Sequence, residues 1–177
     1  MPLIDPDRSA LLVIDLQARL MPAIDQSDLR LANAARLIRA AEVLNIRRHV
    51  TEQNPRGLGR TVEGLDIQQD EALPKMCFDS LRDPAIAAHL AGDTALVVCG
   101  CEAHVCVLQT VLGLRAMGRQ VYVVADACGS RTEANRQAGL ARMQAHGAEI
   151  VTTEMVIFEW LGGADHPAFK TLIPLIK

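Results

Sequence analysis

The segment Ser9-Ala-Leu-Leu-Val-Ile-Asp15 is an almost unbroken apolar run closed by an acid, and it restricts the fold more than any other stretch of the chain. A strand with one wet face alternates apolar and polar residues, so a strand apolar at nearly every position must be covered on both sides. Further strand candidates lie at Ile46 to Thr51, Thr94 to Cys99, Gln120 to Ala125 and Glu149 to Thr152. Helical patterns separate them. Leu31, Ala34, Ala35, Ile38, Ala41 and Asn45 fall on one face of a segment that Ser27 can cap, with Arg30, Arg36 and Arg39 elsewhere. Asp83-Pro84 pairs a cap with a first-turn proline, and Gly92 stands where that short helix should stop. His104 to Met117 and Thr132 to His146 each end at a glycine, Gly118 and Gly147, and Glu154 to Leu161 and His166 to Ile176 complete the helices. Strands alternating with helices at this spacing imply an α/β fold, a doubly wound parallel sheet with helices on both faces. No repeat, low-complexity tract or linker divides residues 1–177, so a single domain is expected.

Composition narrows the function classes. Of 177 residues only one Trp, one Tyr and three Phe are aromatic, and 18 Lys+Arg face 21 Asp+Glu for a net charge of −3. Neither stacking platforms nor a basic stripe for nucleic acid is expected from such a chain. Five cysteines, an odd number, with no signal-peptide pattern at the N-terminus, read as reduced thiols in the cytoplasm. The apolar runs fall far short of the ~20 residues that cross a bilayer, so no membrane role is expected.

In a doubly wound sheet the ligand site lies beyond the carboxyl ends of the strands, where the strand order reverses. Reactive residues just after strands are therefore the candidates. Asp15 closes the first strand; position alone leaves open whether it caps the next turn or acts as an acid or base with a perturbed pKa. Lys75, in the loop Leu73-Pro-Lys-Met-Cys-Phe-Asp79, has the ordinary fate of a surface charge unless a partner stands near it in space. Cys106 opens a helix directly after a strand, where backbone N–H groups and the helix dipole favour a thiolate and can receive an oxyanion. Cys99 and Cys128 fit better as small core hydrophobes. Cys99, Cys101 and Cys106 have no matching pair at zinc-ligand spacing and the five histidines are scattered, so neither metal nor other cofactor is expected. A redox couple of Cys101 and Cys106 lacks the usual Cys-x-x-Cys spacing. Pro55-Arg-Gly-Leu-Gly-Arg60 lacks the Lys-Ser/Thr ending of a phosphate loop and reads as a mobile loop at the rim of a site.

Leu11-Leu-Val-Ile-Asp-Leu-Gln17, Lys75, Val97-Val-Cys-Gly-Cys-Glu-Ala-His-Val-Cys-Val107 and Val123-Val-Ala-Asp-Ala-Cys-Gly-Ser-Arg131 together resemble the isochorismatase-like cysteine hydrolases across nearly the whole chain. Thr51-Glu-Gln-Asn-Pro-Arg-Gly-Leu-Gly-Arg-Thr61 and Asp126-Ala-Cys-Gly-Ser-Arg131 resemble the subgroup of isochorismatase domain-containing proteins. The resemblance implies a six-stranded parallel, three-layer α/β/α fold and a catalytic Asp15, Lys75 and Cys106. It also implies a cis peptide at Cys101–Glu102 and an oxyanion hole from the Glu102 and Cys106 N–H groups. The chemistry so implied is hydrolysis of a small-molecule C–N amide bond through a thioester on Cys106. Where nicotinamidases of the family carry metal-binding histidines, this chain has Val50-Thr-Glu-Gln-Asn54; true isochorismatases lack the cysteine. The alternative is a binding or regulatory protein that retains the scaffold. Leu20, Gln53 and Phe78 are the expected pocket residues, Glu52 and Gln53 orienting a polar substrate or serving as ordinary loop polars. A homo-oligomer is expected, because family members commonly assemble and the C-terminal stretch is rich in apolar residues.

Overall fold

All six residues of Ser9–Ile14 are buried, as a strand covered on both faces requires. The computed structural model describes residues 3–68, 70–92 and 95–176. Along the chain run β1 (Ser9–Ile14), α1 (Ser27–Val43), β2 (Arg48–Gln53), α2 (Pro55–Leu58), β3 (Ala72–Lys75), α3 (Pro84–Leu90), β4 (Ala95–Cys101), α4 (Cys106–Ala116), β5 (Gln120–Gly129), α5 (Glu133–Ala145), β6 (Glu149–Val151), α6 (Thr153–Leu161) and α7 (Phe169–Leu172). The strands form one six-stranded parallel sheet in the order β3-β2-β1-β4-β5-β6. Winding thus starts at β1, proceeds outward to β3, then returns across β1 to β4, so the reversal lies between β1 and β4.

Alternation along β1 distributes its side chains to two cores. Leu11 and Val13 pack with Leu37, Ile38 and Ala41 of α1 and with Val156, Ile157 and Trp160 of α6. Ala10, Leu12 and Ile14 pack with Ile86 and Leu90 of α3, Val107, Val111 and Leu114 of α4, and Leu140 and Met143 of α5. Burying each of these larger side chains contributes roughly 1.5–3 kcal/mol, so the central strand ties the two helical layers together.

Asp83, Thr132 and Thr152 cap α3, α5 and α6, each accepting from backbone N–H groups of the first turn. Other expectations need correction. Ser27 is the first helical residue rather than the cap; Gln26, at φ 53°, precedes it and makes no side-chain cap bond. Arg30 is buried, its guanidinium donating to the Asp126 carbonyl, and Asn45 lies past the helix end at positive φ and exposed. The stretch holding Lys75 is an edge strand, β3, where Pro74 is tolerated because only one neighbour needs its backbone groups. Pro55–Leu58 is a helical turn rather than a loose loop, and Gly59 and Leu58 carbonyls accept from Gln17 Nε2 and Arg19 N. The last segment is shorter than expected: α7 covers Phe169–Leu172 and passes into a 3-10 turn at Ile173–Leu175. Thr94, the expected start of β4, lies outside the described residues.

Gly100 holds the reversal together. A Cβ there would sit 2.0 Å from the Ile14 carbonyl oxygen, and its φ of +130° is open to glycine alone. The β4–β5 register shifts at the same place, between Val98 and Gly100. Gly100→Ala is therefore expected to cost about 3 kcal/mol or more. Urea unfolding checks this; a loss under 1 kcal/mol would mean that the two backbones can separate at little expense.

Candidate active site

Asp15 follows β1 directly, with φ 53°, a left-handed turn that few non-glycine residues adopt. Its N–H donates to the Thr51 carbonyl at 3.1 Å, which keeps the turn in line with β2. Its two carboxylate oxygens are divided between neighbours: Oδ1 accepts from Thr51 Oγ1 at 2.7 Å and Oδ2 from Lys75 Nζ at 2.6 Å. Lys75 reaches this point because it ends β3, opposite Gln53 in the sheet register. The lysine expected in a loop is thus a buried cation in an ion pair.

Cys106 arrives from the other side of the reversal, as the first residue of α4. The peptide between Cys101 and Glu102 is cis. The turn after it is fastened from behind: Ala103 N donates to Gly129 O at 2.7 Å, Glu102 Oε2 accepts from Arg131 N and Nε at 3.0 and 3.1 Å, and His104 Nδ1 lies 3.0 Å from Ser130 Oγ. A Cβ on Gly139 would come within 2.7 Å of the Ala103 carbonyl oxygen, so α5 presses its bare backbone against this turn.

Relative exposures of 0% for Asp15, 2% for Lys75 and 6% for Cys106 place all three groups out of water. Burial, then the negative charge of Asp15, push the pKa of the Cys106 thiol up to about 12 against the opposing pull of Lys75. The helix N-terminus and the cation do not prevail as the sequence suggests, because desolvation is the larger effect. The resting sulfur is a protonated thiol beside a carboxylate.

The remaining expected residues take different places. Gln53 is buried; its Oε1 accepts from Lys75 Nζ at 2.9 Å and its Nε2 donates to the Met76 carbonyl at 2.7 Å. Leu20 is half-buried against the core, and Phe78 is 50% exposed. Glu52, pointing to the opposite side of β2 from Gln53, accepts from Thr61 N, Thr61 Oγ1 and Arg60 Nη1 at 2.7, 2.9 and 3.0 Å. It therefore tethers the strap that follows α2. Thr51 and Gln17 escape a sequence reading. Gln17 donates from Nε2 to Gln53 O at 3.0 Å and accepts from Gln53 N at 2.8 Å, in effect extending the sheet with a side chain. The available signal is parity: Thr51 and Gln53 alternate on one face of β2.

Among the described residues, no group of three or more His, Cys, Asp or Glu is placed to hold a metal ion, and no helix is long and apolar enough to cross a membrane. A cleft of about 560 Å³ lined by Arg8, Ser9, Asn45 and Arg47 opens at the amino ends of the strands, on the far side from these groups. Another, of about 400 Å³, is lined by Pro55, Pro74, Lys75, Met76, Cys77 and Arg82. The ion pair and thiol at the reversal, not cleft size, identify the candidate site.

The profile described as Isochorismatase domain matches residues 9–155. Mouse isochorismatase domain-containing protein 2A is 38% identical over 175 residues, covering 97% of this chain and 84% of its own. The MAR1 ribonuclease of Caenorhabditis elegans superposes with a TM-score of 0.92 at 38% identity, over 99% of this chain and 92% of that one. The Escherichia coli YcaC protein, an octameric hydrolase of unknown specificity, gives 0.91 at 24% identity, over 99% and 91%, and so shares the fold.

Burial raises the thiols of Cys99, Cys101 and Cys128 as well as Cys106, Cys128 to about 12. Unfolded thiols lose protons from about pH 9 while these hold theirs, so their stabilisation is complete below about 9; that of Cys106 and Cys128 disappears as the pH rises through about 12. Each contributes at most about 1.4 kcal/mol per pH unit in that window. Urea unfolding at pH values on either side of 9 should show the decline, and Cys128→Ala should make it shallower. Equal slopes for variant and parent would sink this account.

Proposed function

The chain belongs to the isochorismatase family, and we propose that it is a cytoplasmic small-molecule hydrolase, one domain over residues 1–177, that cleaves a C–N amide bond through a thioester on Cys106. The observation that carries this reading is the Lys75–Asp15 ion pair at 2.6 Å, out of water where the sheet order reverses, whose two charges act in opposite directions on the Cys106 thiol. Removing two charges from water costs several kcal/mol per ion, and such a pair is a poor means of stabilising a fold. It is a good means of moving a proton from sulfur.

In the proposed reaction Asp15 takes the proton from Cys106 Sγ as sulfur bonds to the substrate carbonyl carbon. Lys75 balances the negative charge that would otherwise gather on sulfur and carboxylate together. The carbonyl π electrons move to oxygen, and the oxyanion accepts from the Glu102 and Cys106 N–H groups. Cys106 lies in the first helical turn, whose amides lack intrahelical acceptors. The tetrahedral adduct re-forms its C=O bond, the C–N bond breaks, and Asp15 passes its proton to the amine. Water then attacks the thioester, giving one proton to Asp15 and on to sulfur, and releases the acid. A resting thiol with its pKa near 12 suits this order, because the proton has a defined acceptor during attack.

The bond to Lys75 Nζ supports Gln53 as a holder of Lys75, and half-buried Leu20 and half-exposed Phe78 are the proposed wall residues. The odd count of five cysteines favours a reducing compartment. The ribonuclease name of the Caenorhabditis elegans relative raises RNA as a substrate; the net charge of −3 and the few aromatic residues favour a small molecule instead. The octameric state of YcaC supports a homo-oligomer here.

Two measurements test the reading. Over a panel of small amides, release of ammonia or amine should vanish in Cys106→Ala and fall at least about a hundredfold in Lys75→Ala, both variants remaining folded. Activity undiminished in either variant, or none with any amide, points to the alternative of a binding or regulatory protein on this scaffold. Light scattering in solution should give a mass that is a multiple of 19.2 kDa; a single 19.2 kDa species would remove the oligomer.

A further inference from the structure

We propose that Gln53 is a positioning residue for the reaction, its neutral carboxamide holding the Lys75 ammonium in place while charge passes from Asp15 to the Cys106 sulfur. The inference deepens the proposed function and rests on it. Its starting point is that the orientation of the amide is dictated by its partners. The Met76 carbonyl can only accept and the Lys75 ammonium can only donate, so Nε2 must face the former and Oε1 the latter. The backbone of Gln53 is equally constrained, because Gln17 binds both its N–H and its carbonyl.

Lys75 Nζ carries three N–H bonds. One goes to Asp15 Oδ2 at 2.6 Å and one to Gln53 Oε1 at 2.9 Å, which leaves the third available to the Cys106 sulfur, whose thiolate form the Lys75 charge favours. When Asp15 accepts the thiol proton it becomes neutral and its attraction for Lys75 weakens. A long flexible ammonium side chain would then be free to swing away from the thiolate that needs it. The bond to Gln53 does not change in that step, so it keeps the cation within reach of sulfur. An anion at this position would serve poorly, since it would neutralise Lys75 permanently and oppose the thiolate. Neutrality together with an acceptor oxygen is what the position requires, and glutamine supplies both.

Alkylation by iodoacetamide tests this without knowledge of the substrate. The Cys106 sulfur forms a C–S bond, iodide leaves and the thiol proton is released; peptide mass spectrometry then reads the rate at Cys106 between about pH 7 and 11. Gln53→Glu keeps the size and an acceptor but adds a charge; it should move the rate profile to higher pH by about one unit or more, at least about tenfold slower at about pH 9. Gln53→Met keeps the length but cannot hold the ammonium, and should slow the reaction in the same direction by a smaller factor. A purely structural glutamine would lower the unfolding temperature and leave the pH profile of the folded variants unmoved, and that result overturns the inference. If Lys75→Ala shifts the profile and the folded Gln53 variants do not, the inference fails and the proposed function stands. If the parent protein shows no Lys75-dependent reaction at Cys106, both fall together.

Discussion

Everything at the reversal of this sheet is arranged around one interaction, a lysine and an aspartate held 2.6 Å apart with almost no water. Neither ion can be left alone there: losing one partner would strand a buried charge at a cost of about 3–5 kcal/mol. The surroundings answer that demand atom by atom. Thr51 covers the second oxygen of Asp15, Gln53 takes another N–H of Lys75, and Gln17 secures Gln53. Consecutive residues of β2 thus divide the labour by parity, Thr51 and Gln53 serving the ion pair and Glu52 the strap on the other side.

The same environment sets the chemistry of the neighbouring cysteine. A helix N-terminus and a cation both favour a thiolate, and on an exposed site they would dominate. Here burial and the carboxylate prevail, so the sulfur rests protonated. A buried thiol that keeps its proton beside a carboxylate avoids a standing reactive anion.

Much of this was legible before any coordinates. The apolar run from Ser9 to Ile14, recurring four more times between helical patterns, is the signature of a sheet covered on both faces, and the acid at its end marks the candidate site. Other features were hidden for physical reasons. Ala72–Lys75 is short, edge-placed and interrupted by Pro74, so it carries none of the patterning of a buried strand. Lys75 looks like a surface charge because its partner is 60 residues away in sequence. Arg30 looks like a polar-face residue, and only the carbonyl groups of the irregular end of β5 explain its burial. The pull on the thiol went the other way from the motif because desolvation is a property of the surroundings, and no local motif records it.

Contact between β4 and β1 at Gly100 has a consequence for how such a protein can change. With no side chain between the two strands, the spacing of Asp15 and the turn that leads to Cys106 is set by main-chain atoms in direct contact. The surroundings, by contrast, are built from separate segments: the strap tied to Glu52, the stretch around Phe78, and the turn backed by Arg131. Each of these can drift in length and composition without disturbing the others. A scaffold divided in this way can vary its surroundings over evolutionary time while Asp15, Lys75 and Cys106 stay put.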